Sequence, residues 1–234
     1  MRHTYKKVGT CGFIEIPYTD GKEGREERSF TMNIEKTIKS LERNRFKVTY
    51  FEQAEEAAKY LDETIDGKVV GFGDSITMKS MKLYERLSTH NEVHDPNQST
   101  DNDEFLEIAM KCLDTEIYLT SVNAMSETGE MVNIDGTGNR VAASLFGHKK
   151  VYFVVTTSKI EESLEKAIWR ARNVAGPKNA MKYNLRTPCV AKGGDRCYNC
   201  GSPDRICNTM NIYMKKMNDI DEVEVVLIND ELGF

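Results

Sequence analysis

The sequence predicts an α/β protein built on a mainly parallel β-sheet, and three observations support this class. Segments with helical periodicity alternate with short strand-like segments along most of the 234 residues. The strongest strand signal, Lys150–Val155, is a nearly continuous apolar run, which is typical of a strand buried on both faces. No internal repeat or low-complexity linker interrupts the alternation. We therefore expect one domain whose helices cover both faces of the sheet.

Helices are predicted where apolar side chains recur every three or four residues. In the first of them, Asn33–Arg43, the side chains of Ile34, Ile38 and Leu41 share one face, and Asn33 is a suitable N-cap. The other predicted helices are Gln53–Ile65, Ile76–Leu87, Glu104–Leu113, Asn139–Phe146, Ile160–Val174 and Met210–Met217. We assign residues 1–32, which are polar and irregular, to an N-terminal extension, and residues 33–234 to the α/β domain.

Strands are predicted where β-branched and aromatic residues alternate with polar ones or form short apolar runs. The predicted strands are Phe46–Phe51, Lys68–Phe72, Thr115–Thr120, Glu130–Asp135, Lys150–Val155 and Val223–Ile228. Helical segments separate most of these strands, which implies crossover connections between parallel neighbours.

Composition and charge exclude several classes of partner. The formal net charge of -5, with 39% hydrophobic and 29% charged residues, is that of an ordinary globular protein. A broad nucleic-acid surface needs clustered Lys and Arg, so we expect no nucleic-acid partner. No apolar stretch reaches the roughly 20 residues needed to span a bilayer, and the first residues lack the apolar segment of a signal peptide. We expect a cytoplasmic protein with no membrane partner.

Four of the six cysteines lie in one short segment, with the spacing Cys189-x7-Cys197-x2-Cys200-x6-Cys207. In a reducing compartment, thiols gathered this closely favour a soft metal centre over disulfides. The pair Cys197 and Cys200 places two sulfurs on one tight turn, and two further thiolates complete a four-sulfur site. We assign all four cysteines as metal ligands.

Three nearby glycines support this assignment: Gly193, Gly194 and Gly201. A chain that wraps thiolates around one centre needs positive φ angles and close backbone approach. The uneven spacing suits an iron–sulfur cluster better than zinc, whose sites tend to pair two CxxC turns. We expect a [4Fe–4S] cluster, with zinc as the alternative. Unpaired structural thiols, or a redox disulfide between Cys197 and Cys200, are the remaining interpretations.

The loop from Gly71 to Thr77 is the first candidate ligand site, because ligands of such sheets bind beyond the carboxyl ends of the strands. Its glycines allow a tight turn, and its hydroxyls and free N–H groups suit a phosphate or carboxylate. An ordinary Asp or Ser N-cap after a glycine turn explains the same residues. The residues assigned to ligand binding from this loop are Gly71, Gly73, Asp74, Ser75 and Thr77.

The loop from Ser121 to Arg140 is the second candidate, because polar residues follow two consecutive strands there. We assign Glu127 as a catalytic nucleophile or base, and Arg140, at the first turn of a helix, as a clamp for an anion. The plain alternatives are a turn in which Glu127 pairs with a backbone amide and a surface ion pair for Arg140. The further ligand-binding residues assigned from this loop are Asn123, Thr128, Gly129, Gly136, Gly138 and Asn139.

These motifs carry a resemblance to a known family. They are V-V-G-F-G-D-S-I-T-M at residues 69–78, S-V-N-A-M-S-E-T-G-E-M-V at 121–132, G-N-R at 138–140 and G-H-K-K-V-Y-F-V-V at 147–155. Together they resemble the LUD-domain proteins, the lactate-utilization family, over most of the chain. The cysteine motif, with R-N-V-A-G-P-K-N-A at 172–180, resembles a subgroup of that family that is common in anaerobes.

The resemblance implies a fold similar to that of the ribose-5-phosphate isomerase and CoA-transferase superfamily, and in the subgroup a comparable cysteine-bearing tail follows the domain. For this chain we include the cysteine segment 189–207 in the domain of residues 33–234. Some family members belong to a multi-protein system that oxidises lactate to pyruvate with iron–sulfur partners. This chain lacks the long ferredoxin-like double cysteine motif of the larger electron-transfer members. Carried over by motif, the residues expected to line the cleft are Gly71, Gly73, Asp74, Ser75, Glu127, Thr128, Gly129, Gly138, Asn139 and Arg140.

Three functional hypotheses follow. The leading one is a lactate-utilization-like protein of 2-hydroxy acid metabolism that acts on a small carboxylate or acyl substrate, with catalysis by the isolated chain left open. The second is a non-catalytic electron-transfer or accessory subunit with redox protein partners. The third is a ligand-sensing module in which zinc only staples the C-terminal region.

Overall fold

The computed structural model describes residues 33–234, and the extension predicted for residues 1–32 lies outside the described residues. The strands of the described part are β1 (Lys47–Phe51), β2 (Val69–Phe72), β3 (Glu92–His94), β4 (Ile117–Thr120), β5 (Ala124–Ser126), β6 (Met131–Asp135), β7 (Lys150–Thr156), β8 (Ile160–Glu161), β9 (Thr209–Tyr213) and β10 (Glu222–Ile228). Its α-helices are α1 (Ile34–Arg43), α2 (Ala54–Thr64), α3 (Ile76–Ser80), α4 (Leu83–Leu87), α5 (Asn102–Lys111), α6 (Asn139–Leu145), α7 (Leu164–Arg170), α8 (Gly176–Lys182) and α9 (Pro188–Ala191).

Six of these strands form a wholly parallel sheet in the order β1-β10-β7-β4-β2-β3, which confirms the predicted α/β class. Side chains of β7 alternate between two cores. Val151 and Phe153 pack in a core with α1, α5 and α6, whereas Tyr152 and Val154 pack in a core with α2, α3 and α4. Burial on both faces explains why this strand is a continuous apolar run in the sequence.

A second, four-stranded sheet of mixed direction has the order β8-β5-β6-β9. Met125 and Met131 belong to the same core as one face of the large sheet, while Ala124 and Val132 pack with Ala167 of α7. The small sheet therefore lies between the large sheet and α7. Of its four strands, β6 is predicted from the sequence, whereas the residues of β8 and β9 fall in predicted helices.

Two segments that were predicted as helices contain strands in the structure, because their residues pair with β5 and β6. The segment Met210–Met217 was predicted as a helix, but Thr209–Tyr213 pairs antiparallel with β6 as strand β9. The predicted helix Ile160–Val174 begins instead as strand β8, which pairs with Met125 and Ser126 of β5. Non-local pairing decides both segments, and local periodicity does not report it.

The predicted helix Ile76–Leu87 is two short helices, α3 and α4. Lys82 between them has a left-handed backbone conformation, with φ of 52°, which ends the helical path. Ser75 caps α3 by accepting a hydrogen bond from the Met78 N–H at 3.3 Å. The side chains of Asn33 and Asp101 cap α1 and α5 in the same way.

A continuous helical run from α7 to α8 passes through a π-helical segment, Ala171–Ala175. Such a segment shifts the direction of the side chains that follow it and often lies at a functional site. Arg172 and Asn173 contact Cys197 from this segment, and Ala175 lines a cleft. No helix within residues 33–234 is both long and apolar enough to cross a membrane.

Candidate functional site

The loops after β2, β4 and β7 meet beyond the carboxyl ends of these strands and form a cleft of two adjoining cavities. The inner chamber, of about 50 Å³, is lined by Thr77, Ser121, Asn123, Arg140, Lys159 and Asn179, among others. The outer cavity, of about 290 Å³, is lined by Phe105, Ile134, Gly136, Asn139, Tyr183 and Cys207, among others. Asp74, Asn123, Arg140 and Asn179 line both cavities.

Lys159 is the most deeply buried charged group of the inner chamber, with 4% of its surface exposed. Its Nζ donates hydrogen bonds to Thr77 Oγ1 at 3.1 Å, Ser121 Oγ at 3.1 Å and the Val122 carbonyl at 3.2 Å. Burial lowers the pKa of Lys159 to about 7, and the positive charges of Arg170 and Arg140 act in the same direction. A buried amine with so perturbed a pKa in a cleft marks a candidate functional group.

Arg140 lies between the two cavities at the start of α6, where the sequence analysis expected it. Its guanidinium donates to the Ile134 carbonyl at 2.7 Å and to the Asp74 carbonyl at 3.3 Å. Its Nε lies 3.7 Å from Asp135 Oδ2. These contacts hold the cation at the mouth of the inner chamber, so it is in place to attract an anion.

In the predicted ligand loop Gly71–Thr77, some residues line the cleft and others pack against the strands and turns behind it. Asp74, Ser75 and Thr77 line the inner chamber. A Cβ atom at Gly71 would come within 2.8 Å of Thr115 Oγ1, and one at Gly73 within 2.6 Å of the Thr120 and Tyr118 side-chain oxygens. Both glycines therefore permit close packing behind the cleft.

Helix α8 forms the opposite wall of the cleft. The Tyr183 hydroxyl, just after this helix, donates a hydrogen bond to Asp74 Oδ2 at 2.9 Å. Lys182 Nζ lies 3.8 Å from Asp74 Oδ1. Burial and the neighbouring Asp74 carboxylate both raise the pKa of Tyr183, which keeps its hydroxyl a donor at neutral pH.

Glu127, Thr128 and Gly129 do not share the cleft with Arg140 but form the turn between β5 and β6, next to α1. Glu127 Oε1 accepts a hydrogen bond from the Asn33 N–H at 2.7 Å, and Glu127 Oε2 pairs with Lys36 Nζ at 2.8 Å. A Cβ atom at Gly129 would lie 2.8 Å from the Ser40 backbone. This placement differs from the expected one and matches the plain alternative, in which Glu127 binds backbone amide and ion-pair partners.

The remaining ligand-binding residues predicted in the second loop lie at the outer cavity, except Gly138. Gly136 and Asn139 line it, and Asn123 lines both cavities while its Oδ1 accepts from the Ile134 N–H at 2.6 Å. Gly138 has φ of +90° and immediately precedes α6, so its role is to start that helix.

Cys189, Cys197, Cys200 and Cys207 line one narrow cavity beside the outer cavity, with the sulfur-bearing residues half-buried. Gly176, Ile206 and Cys207 belong to the lining of both cavities. The cleft and the cysteine cavity are therefore neighbours separated by one shared wall.

Four thiols are donors that suit a soft metal, and the surroundings of Cys197 suit a thiolate. The Asn199 N–H donates to Cys197 Sγ at 3.4 Å, and Arg172 Nη2 lies 4.0 Å from the same sulfur. Asn199 has φ of 44°, so the Cys197–Cys200 segment turns tightly. Gly193 and Gly194 have the expected positive φ angles, whereas Gly201 does not. Yet within the described chain no three His, Cys, Asp or Glu side chains form a group that could hold a metal ion. The thiols converge on one cavity without closing into a ligand set.

Cys112 differs from these four. It is buried, and its thiol donates to the His94 carbonyl at 3.2 Å. Burial raises the pKa of the Cys112 thiol to about 11. Cys112 is therefore a packing residue of the core. Cys11 lies outside the described residues.

Three residues that line the cleft were not predicted from the sequence: Lys159, Lys182 and Tyr183. Lys159 ends the short 3-10 turn Thr157–Lys159 that follows β7. A polar residue just beyond the strongest predicted strand is the signal by which it could have been found. That signal was overlooked because Ile160–Val174 was predicted as a helix. The residues of α8 gave no comparable signal, since they reach the cleft only through the packing of the α7–α8 run.

Comparisons with known proteins identify the family. The sequence profile of the LUD domain matches residues 34–228. A search of curated proteins finds no match. Among solved structures, the chain is similar to a DUF162 family protein from Deinococcus radiodurans, with a TM-score of 0.47 and 10% identity, over 83% of this chain and 94% of that chain.

It is also similar to ribose 5 phosphate isomerase A from Neisseria gonorrhoeae, with a TM-score of 0.32 and 13% identity, over 47% of this chain and 54% of that chain. For ribose 5-phosphate isomerase from Plasmodium falciparum the TM-score is 0.31 and the identity 14%, over 47% of this chain and 52% of that chain. The profile match covers most of the sequence, from α1 to the end of β10. This chain therefore belongs to the LUD domain family, which is associated with lactate utilization.

Proposed function

We propose that this protein binds a small 2-hydroxy acid or a related carboxylate in the cleft and holds it beside a thiolate-ligated metal centre. The observation that carries the proposal is the wall of Gly176, Ile206 and Cys207, which the outer cavity shares with the cavity of the four cysteines. A substrate in the cleft would lie next to the centre, with no other element of the described chain between them.

The charges of the cleft support a carboxylate as the ligand. Arg140 and Lys159 line the inner chamber, and both are held by hydrogen bonds to neighbouring protein groups. Asn123 adds a side-chain amide to the same lining. A cation pair with adjacent amide and hydroxyl groups suits a carboxylate next to a hydroxyl or carbonyl group.

Cys189, Cys197, Cys200 and Cys207 are the residues that would hold the metal centre. Arg172 and the Asn199 N–H would donate to the Cys197 thiolate and stabilise its negative charge. An iron–sulfur cluster at these thiolates would supply one-electron chemistry, whereas zinc would supply a closed structural site. We favour the cluster, because an electron acceptor next to a 2-hydroxy acid fits the association of the family with lactate utilization.

The test begins with purification under nitrogen and measurement of iron, zinc and acid-labile sulfide per chain. Cys197→Ser removes one proposed ligand, and Cys112→Ser is the matched control, because Cys112 lies in the core away from the cysteine cavity. We expect iron and sulfide in equal amounts, with a broad visible band that bleaches on reduction, in the wild type and the control. The Cys197 variant should lose most of both.

Addition of L-lactate to the iron-loaded protein then tests the neighbouring cleft. We expect a change in the visible or electron paramagnetic resonance spectrum, because a ligand behind the shared wall alters the surroundings of the centre. One zinc per chain without iron would instead support the ligand-sensing module with a zinc staple. Absence of both metals from anaerobically prepared protein would refute the metal centre.

A further inference from the structure

Lys159 carries a buried amine that has no counter-ion among the described residues when it is protonated. Within residues 33–234 no carboxylate forms an ion pair with it, and its three hydrogen-bond partners are two hydroxyls and a backbone carbonyl. A buried ammonium is normally paired, because the loss of hydration is otherwise uncompensated. The side chain nevertheless lines the inner chamber, where a bound molecule can reach its surroundings.

The charged groups around Lys159 are mostly positive. Arg140 at the start of α6 and Arg170 of α7 both disfavour its protonation. Arg170 already pairs with Glu161 at 3.7 Å, and Arg140 pairs with Asp135 at the same distance. The other charged side chains of the chamber lining are Asp74 and Lys182, which lie 3.8 Å apart and offset each other. Phe234, which bears an α-carboxylate, also lines the chamber, and no ion pair joins that carboxylate to Lys159. Among the described residues, Lys159 is therefore the chamber cation that no carboxylate pairs with directly.

We propose that Lys159 is the anion-binding centre of the inner chamber and that the carboxylate of the bound ligand supplies the counter-ion that the protein lacks. Thr77 and Ser121 hold the amine in place, and the Ser121 hydroxyl can also donate to the same ligand. For its ligand class, a small carboxylate, the inference rests on the proposed function. Beyond the proposed function, we infer that Lys159 recognises the acid group and that a proton binds together with the ligand.

Binding should therefore be coupled to proton uptake. The pKa of Lys159 is about 7 in the free protein, so much of the amine is neutral at pH 8. A carboxylate next to the amine favours the charged form, and the proton comes from the buffer. The ligand and the proton bind together, which makes the affinity fall as the pH rises above 7.

The experiment is isothermal titration calorimetry with L-lactate and with pyruvate at pH 6 and pH 8, in buffers of different ionisation enthalpy. For the wild type we expect an uptake of up to one proton per ligand at pH 8 and a much smaller uptake at pH 6. Lys159→Met should bind about 10- to 100-fold more weakly at pH 6 and show no uptake at pH 8. Lys159→Arg keeps a permanent charge, so any binding it retains should occur without uptake.

Lys59→Met is the matched control, since Lys59 lies on α2 with its side chain 70% exposed and, within residues 33–234, forms an ion pair with Glu63 alone. It should bind and take up protons like the wild type. If Lys159→Met binds the acids as tightly as the wild type and takes up the same number of protons, the inference is overturned. The proposed function then still stands. A wild type that binds neither acid would overturn the proposed ligand class, and this inference with it.

Discussion

Lys159 Nζ and Thr77 Oγ1 lie 3.1 Å apart and join the loop after β7 to helix α3, although 82 residues separate them in the sequence. Thr77 in turn donates a hydrogen bond to the Leu232 carbonyl, just beyond the last strand. Three loops at the carboxyl ends of parallel strands are thus tied together through one amine and one hydroxyl. This is the edge of the sheet at which α/β proteins bind their ligands.

The buried amine should make stability depend on pH. The pKa of Lys159 falls from 10.5 to about 7 on folding, so the unfolded chain binds the extra proton throughout the interval between these values. The free energy of unfolding should then rise as the pH increases from 7 toward 10.5. Below pH 7 the full cost of charging the buried Lys159 amine lowers the stability.

Urea denaturation of the wild type and of Lys159→Met at pH 7 and pH 9 measures this dependence. The stability of the wild type relative to the variant should rise by about 2 kcal/mol between the two pH values. Lys59→Met, tested in parallel, should show the same pH dependence as the wild type. Equal curves for all three proteins would mean that Lys159 keeps its proton in the folded state.

Substitution of Glu127 should affect stability and leave ligand binding unchanged. Glu127 holds Lys36 and the Asn33 N–H at the start of α1, outside the cleft. Glu127→Gln keeps a carbonyl oxygen for the backbone hydrogen bond but removes the charge. We expect a loss of about 1 kcal/mol in the free energy of unfolding, because Lys36 is half-exposed and its pairing is weakened by solvent.

Titration of Glu127→Gln with L-lactate completes this test. The affinity should stay within about twofold of the wild-type value, since no atom of Glu127 contacts the residues of the inner chamber described above. Lys36→Met, which removes the other partner of the ion pair, should give a similar loss of stability. A large loss of lactate binding in the Gln variant alone would restore the catalytic role that the sequence indicated.

The part of the structure that the sequence predicts is the part governed by local patterns. β7 was predicted correctly because both of its faces are buried, and α1 because Ile34, Ile38 and Leu41 share a face with Asn33 as N-cap. β9 was predicted as a helix, since only its pairing with β6 makes it a strand. Local periodicity contains no information about such partners.

In the candidate site, too, the features set by local spacing were predicted and those set by distant contacts were not. The spacing of the cysteines predicted that they belong together, and all four do line one cavity. The cleft depends on distant partners, because Lys159 meets Thr77 and Ser121, which precede it by 82 and 38 residues. Glu127 was placed in the cleft because its loop follows the predicted strand Thr115–Thr120 of the large sheet. The unpredicted strand β5 of the small sheet lies between that strand and Glu127, and the turn after β5 faces α1.

Gly129 should tolerate no side chain, and Gly201 should tolerate one. Gly129 has φ of +90°, and a Cβ atom there would meet the Ser40 backbone at 2.8 Å. Gly129→Ala combines a strained backbone with a clash against α1, so we expect a loss of roughly 2–4 kcal/mol. Gly201 has no positive φ and open space around it, so Gly201→Ala should change stability by less than about 0.5 kcal/mol. Thermal and urea denaturation of both variants measure the difference.

The cysteines should separate into two classes by their reactivity. Cys112 is buried with a thiol pKa of about 11, so at pH 8 almost none of it is thiolate and iodoacetamide should not modify it while the protein is folded. The other four described cysteines are half-buried around their cavity and should be alkylated readily once metal is removed by chelation.

Peptide mass spectrometry after timed alkylation resolves each site. In protein loaded with its metal, Cys189, Cys197, Cys200 and Cys207 should all be protected together, because each would be a ligand of the same centre. Protection of only three would mean that the fourth is free, and Cys207 is the one that also faces the outer cavity. Equal alkylation with and without metal would contradict a shared centre, since a thiolate bound to metal is a poor nucleophile toward iodoacetamide.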